Sequence, residues 1–444
     1  MSAALEGQCP YGFGGDSENA GVMTRPDIIG TETATARPAA AAASAPAAHP
    51  VAPVAPVADW VNPSELMVDP YPTYERLRSE SPVAWVPALN KFLVTSYAGC
   101  HAVELDQEIF SANVSGATMN RALGAQPMLR KDDPEHAADR AAINPVLRPK
   151  NIKEAWAPVF ERNARTYLDV LEGKGPDQAD LNRDYAAPVA SQNLIDLLGL
   201  KDVTVEHMRR WSHDFIAGAG NVLDDQAIWA RCAASRAELD AILDELIPFY
   251  QQHPNASMTS ALANSGLPFD NVAANVKLTI SGGMNEPQHM VTNIVWALSR
   301  HAEQRHTVLN DDSLWPAVFD ETVRWLSPIG MYPRETTRAT TLGGVSLPAG
   351  AGLGVVVGSA NRDVNHFGPT AGEFNIFRPK TAHLAFGSGV HLCAGHWAAK
   401  TSIGQIAVPL AYQRFPGLRT DNRRPETWDG WVFRGITSLP VTWN

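Results

Sequence analysis

The chain has 444 residues, 45% of them hydrophobic, and a formal net charge of −11, so it can bury a core large enough to enclose a big ligand. The acidic balance, with no long Lys/Arg run, argues against a nucleic-acid protein. Cys9, Cys100, Cys232 and Cys393 stand far apart with no CxxC pair, no run of 18 apolar residues occurs, and the first residues lack the order of a secretory signal, so a cytoplasmic protein with no disulfide framework and no membrane span is expected.

Residues 1–59 begin with a glycine-rich stretch and become mostly Ala, Pro, Thr and Val. Recurrent proline and few large side chains predict a disordered tail. A single folded body is expected over 60–444. Its first elements are a turn and short helix over 69–78. Strands follow at 83–86 and 92–95, joined by a Pro87–Asn90 hairpin. Residues 97–110 read as helix and 114–126 as loop. Asp132-Asp133-Pro134-Glu135 opens another helix, with acids and a proline suited to its first turn. His136 and Arg140 are four apart, and as two donors on one helix face they suit a carboxylate. Residues 151–260 alternate amphipathic helices with polar breaks and show no chemistry. His207, His213 and His253 lack ligand spacing.

Residues 269–300 form the longest helix candidate, interrupted by Gly282-Gly283-Met284-Asn285-Glu286-Pro287. Pro287 removes one N–H and crowds the Gly283 carbonyl, which predicts a kink or opening at a cost of roughly 3 kcal/mol. Gly282 and Gly283 would clear space over a flat ligand. A helix that carries glycines, a proline and a carboxylate together marks a functional turn. Glu321 and Arg324 are spaced i,i+3 on a further helix, ended by Ser327-Pro328. Ile329 to Tyr332, Met331 included, should line a pocket, with Arg334 the next cation. Strands are expected over 341–347 and 353–357, a helix over 394–412, and a final β-hairpin over 428–443.

Between them lies His383-Leu384-Ala385-Phe386-Gly387-Ser388-Gly389-Val390-His391-Leu392-Cys393-Ala394-Gly395. Its glycines let backbone pass close to a flat ligand. Its cysteine precedes a helix, where free N–H groups favour a thiolate.

The Phe-x-x-Gly-x-x-x-Cys-x-Gly pattern resembles the heme-binding signature of the cytochrome P450 family, and the likeness runs from about Asp59 to the C-terminus. It implies a mainly α fold with small β-sheets, of soluble bacterial type. Heme b would lie between the long distal helix and the proximal loop, with Cys393 as axial ligand. The resemblance further implies that His136, Arg140, Arg334 and His391 hold the heme propionates, and that Glu321 and Arg324 form a buried structural pair. Most members carry an acid followed by a threonine on the distal helix. Here Asn285 and Glu286 stand there, which puts the usual proton relay in doubt.

The distal turn with His289, the approach to Gly387 and the Trp431…Phe433-Arg434-Gly435…Trp443 ending resemble bacterial aromatic O-demethylases of the guaiacol-demethylating type. This implies oxidation of a small aryl methyl ether to a phenol and formaldehyde, with Phe433 clamping the ring and Gly282, Gly283, Ile329 and Met331 beside it. The chain has no flavin, Rossmann or iron–sulfur motif, so electrons from NAD(P)H would come through a separate reductase or ferredoxin. The alternatives are a hydrogen-peroxide-driven peroxygenase and a hydroxylase of another small hydrophobic substrate. A heme sensor without turnover would not need Glu286.

Overall fold

The computed structural model describes residues 55–443 apart from Val222. Most of the expected tail, with Cys9, lies outside the described residues. Val57 already bridges Trp85 and Ala58 is buried, so packing starts slightly ahead of Trp60.

The described chain is mainly helical. The long helix Phe269–Arg300 runs through the middle and contributes to two large hydrophobic clusters. Its second half is buried on nearly every side, with Gln288, His289, Thr292 and Asn293 enclosed beside Met290, Val291, Ile294 and Val295. Helices Ala187–Leu198 and Val205–Ala219 pack along it. Local chemistry sets several helix starts. Ser96 accepts from the Gly99 N–H, and Thr204 and His207 cap each other reciprocally. His207 is therefore a capping residue, in keeping with its lack of ligand spacing.

Five strands form one sheet in the order β1 (Val83–Val86), β2 (Lys91–Val94), β7 (Gly352–Val355), β4 (Tyr332–Thr336), β3 (Phe110–Ser111). The β1–β2 hairpin turns through Pro87–Leu89 and Asn90, whose φ of 50° suits asparagine. β7 lies parallel to β2 and antiparallel to β4, and this register brings Arg334 opposite Leu353.

Several expectations need correction. The long helix does not open at Pro287 but continues through it: a proline forfeits only its own N–H bond, and the residues on either side, Met284 and Gln288 to Val295, are buried. Helix Tyr97–Leu105 stops early, and Phe110–Ser111 pairs with β4. The stretch read as loop contains helix Thr118–Leu123, ended by Gly124 at φ 88°. Residues 341–347 are not one strand. β5 (Thr340–Leu342) and β6 (Val345–Leu347) turn at Gly343-Gly344, both at positive φ. The helix after Cys393 begins at His396 and includes a π-helical segment, Lys400–Ala407. The ending splits: β9 (Thr427–Asp429) pairs with β10 (Gly435–Ser438), while β11 (Val441–Thr442) pairs with β8 (Arg419–Thr420).

Candidate active site

Asn361 Oδ1 accepts from Leu384 N at 2.7 Å and fixes the entry to the cysteine loop. Gly387 N donates to Leu384 O at 2.9 Å, and Cys393 N to Phe386 O at 2.8 Å, which folds the loop back on itself. Gly389 has φ 61°, and a Cβ there would stand 2.5 Å from the Glu104 carbonyl oxygen, so only glycine fits. Phe386 stacks on Phe319, ring centroids 6.3 Å apart, which anchors the loop to the core.

Two opposing effects act on the Cys393 sulfur. Desolvation raises its pKa and wins, while the N–H groups of Gly395 and His396 pull it down. The residue nevertheless keeps accessible surface. A helix start alone therefore does not make this thiol an anion. The donor set, one soft sulfur with two N–H groups on it, suits a thiolate neutralised by a bound metal cation.

Glu286 is close enough for its charge to act on Cys393. Both of its carboxylate oxygens are buried without a hydrogen-bond partner, and burial pushes it up to about 8. Asn285 Oδ1 accepts from Gln288 at 3.0 Å. A Cβ at Gly282 would meet nothing within 4 Å, whereas one at Gly283 would press on Leu194 at 3.2 Å. Gly282 is thus open, and Gly283 sits on a helix-packing seam.

The expected propionate holders converge on one side. His136 is buried, its Nδ1 3.2 Å from Asp133 Oδ1, and its ring lies 4.2 Å from that of His391. Burial pushes His391 down to about 3, helped by the Arg334 charge, so it is a neutral donor with an unpartnered, buried Nε2. Arg140 donates to the carbonyls of Leu392 at 2.9 Å and Val390 at 3.4 Å, holding the cysteine loop from below. Arg334 is 4% exposed, and Glu104 and Asp132 lie near enough to act on it.

Ile329 bridges Phe433, and Gly330 N donates to Val432 O at 2.8 Å. Arg434 N donates to Pro328 O, and its guanidinium to the carbonyls of Met67, Val68 and Gly430. These bonds tie the ending to the segment after Pro328. Gly435 lies so close to His289 that a Cβ there would meet the imidazole at 2.0 Å. Met331, by contrast, packs with Tyr74, Leu77 and Leu93 in the core. Glu321 and Arg324 pair at 2.7 Å, both nearly inaccessible, and Arg378 joins at 3.3 Å. A recess of about 570 Å³ is lined by residues 113–118 and 120–121 with Asn221, Asp224 and Trp229, and by none of the expected site residues.

Two buried charges escaped the sequence reading. Glu104, on helix Tyr97–Leu105, faces Gly387 with both oxygens unpartnered, and burial pushes it up to about 8. Arg130 is 8% exposed. A charge in each local stretch reads as surface; long-range packing buries it.

The residues present fit a heme. A sulfur stands near enough to the Glu286 carboxyl for the two to interact, and the buried, unpartnered Nε2 of His391 lies beside His136 at one edge, where a carboxylate would be held.

A family model described as Cytochrome P450 matches residues 288–415, which hold the Glu321–Arg324 pair and the cysteine loop. The chain is 29% identical over 405 residues to Cytochrome P450 107B1 of Saccharopolyspora erythraea, covering 84% of this chain and 95% of that protein. It is 27% identical over 356 residues to the Steroid C26-monooxygenase of Mycolicibacterium smegmatis, covering 79% and 87%. The crystal structure of P450BioI in complex with hexadec-9Z-enoic acid ligated Acyl Carrier Protein matches with a TM-score of 0.78 at 25% identity, covering 86% of this chain and all of that one.

Proposed function

Because the chain belongs to the cytochrome P450 family of oxygen-incorporating oxidoreductases, we propose that it removes the methyl group of a small methoxylated aromatic. A methyl carbon and dioxygen, with two electrons and two protons, give a hemiacetal and water; the hemiacetal then breaks its C–O bond to yield a phenol and formaldehyde. Thiolate-ligated heme, when bound, supplies the oxygen activation. Cys393 would provide the sulfur, and His136, Arg140, Arg334 and His391 the edge that holds the propionates. Electrons would come from NAD(P)H through a separate reductase or ferredoxin.

Glu286 is the proton-bearing group of this reading. Burial keeps it protonated at neutral pH, so it can donate toward the sulfur-facing side of the helix. Asn285, beside it, would orient water. Phe433 would clamp the ring from the ending, with Ile329 beside it and Gly282 leaving room. The single observation that supports a methoxyarene is the contact of Gly435 with His289. It joins the distal turn to the ending, the two stretches that carry the demethylase resemblance.

A panel of methoxyarenes titrated against the purified protein should move the Soret band to shorter wavelength, as substrate displaces iron-bound water. If only bulky aliphatic compounds shift it, the chain is a hydroxylase of another hydrophobic class, the kind of activity its named relatives carry. A peroxide-driven reading is favoured by one observation, a carboxyl at position 286 with no neighbouring alcohol. Turnover with hydrogen peroxide alone, at a rate matching the reductase-fed reaction, would select it.

A further inference from the structure

Glu286, His289 and Asn293 stand at i, i+3 and i+7 of the uninterrupted helix Phe269–Arg300, so they form one row along a single face. At about 1.5 Å of rise per residue the row spans roughly 10 Å. Each carries buried side-chain atoms without a hydrogen-bond partner: both oxygens of Glu286, both nitrogens of His289 and Oδ1 of Asn293. His289 is 3% and Asn293 1% exposed.

The groups around the row are already engaged. Gln288 donates to Asn285 at 3.0 Å, the Thr292 hydroxyl to His289 O at 2.9 Å, and Asn182 Nδ2 to Ile436 O at 2.9 Å. Strand β10 closes one side of His289, at the Gly435 contact. Asn293 Nδ2 donates to Leu326 O at 3.3 Å, which leaves only its oxygen to the row. Two further positions of the same face, Trp296 and Arg300, donate to Glu426 at 2.8 and 2.7 Å. That carboxylate is partly exposed, so the face runs from the site toward solvent.

The unpartnered atoms complement one another. Burial pushes His289 down to about 4, so its neutral ring offers one N–H and one lone pair. Protonated Glu286 offers an O–H, and Asn293 Oδ1 an acceptor. Cβ atoms three or four residues apart on a helix face are about 5–6 Å from each other, a span that one enclosed water closes. Leaving polar atoms unpaired at this depth is costly.

We propose, resting on Glu286 as the proton donor, that His289 resupplies its proton, with Asn293 and enclosed water holding the ring for that transfer. After Glu286 has given up its proton, a proton arriving through water on the Asn293 side binds the free ring nitrogen. The N–H on the other side passes its proton to the Glu286 carboxylate. The ring is neutral again, and its rotation restores the starting tautomer.

The test uses infrared spectra of the full-length holoprotein. A protonated-carboxyl band present in the unmodified protein and missing from Glu286→Gln belongs to Glu286, and it judges the donor reading without reference to His289. Should no band be lost, Glu286 is ionised, and the donor reading falls together with this one. Given the band, His289→Leu should raise its frequency, because the carboxyl loses a partner. The same variant should slow proton–deuteron exchange of the carboxyl in deuterium oxide by about tenfold or more, a modest share of what a positioned proton carrier supplies. His289→Gln keeps a donor and an acceptor but shuttles no proton. It should leave the band near its place and still slow exchange by about tenfold or more, where a merely structural role predicts normal exchange. A band unmoved in His289→Leu, or exchange slowed by less than about tenfold in either variant, overturns the proposal and leaves Glu286 as donor standing. Should His289→Leu fail to fold, exchange in His289→Gln decides.

Discussion

Glu286→Gln should lower turnover by about a hundredfold or more, the usual scale for losing a positioned proton donor, while heme content stays normal. The amide matches the carboxyl in shape and cannot give up a proton. In the unmodified protein burial holds Glu286 at about 8, so the donor form predominates below that pH. Turnover should therefore fall as pH rises through about 8, and this limb should be missing from Glu286→Gln. Linkage runs the same way. A carboxyl raised from 4.5 to about 8 contributes stability in full below the unfolded value and loses it as pH rises through the folded one. A variant with unchanged turnover and an unchanged alkaline limb would remove Glu286 from the proton route.

Glu321→Ala should cost about 3–5 kcal/mol in denaturant unfolding, the penalty for leaving a buried charge unpaired. Glu321 accepts two bonds from Arg324 at 2.7 Å, one from Asn375 N at 2.9 Å and one from Arg378 at 3.3 Å. Arg324 in turn donates to the carbonyls of Asn361 and Ala371, and Asn361 fixes Leu384 at the start of the cysteine loop. Loss of the carboxylate strands two guanidiniums and loosens that start, so heme retention should fall along with stability. Glu321→Gln keeps an acceptor and should lie between the two. An unfolding midpoint unchanged by Glu321→Ala would show that the surrounding carbonyls alone hold Arg324.

How much of this was legible in the residues depends on how local the signal is. The long helix was readable to its ends, because apolar periodicity persists from Phe269 and a proline precedes it. The cysteine loop was readable because glycines, aromatic and sulfur all fall within a few residues. The opening expected at Pro287 does not occur: the helix runs on, with Met290, Val291 and Ile294 packed in the core beyond it. Gly343-Gly344 was read through as strand, although two glycines in succession are a turn signal. β11 pairs with β8 across a gap that no local pattern spans. Arg130 and Glu104 were invisible for a related reason. Their burial is created by Arg334 and the cysteine loop, both more than 190 residues away in the chain.

Cys393 is the group on which the account stands. The decisive measurement is the absorption spectrum of the reduced, carbon monoxide-bound protein beside that of Cys393→Ser. The account predicts the red-shifted band of sulfur-ligated heme in the unmodified protein and its loss in the variant. That band missing from the first, or persisting in the second, would contradict it.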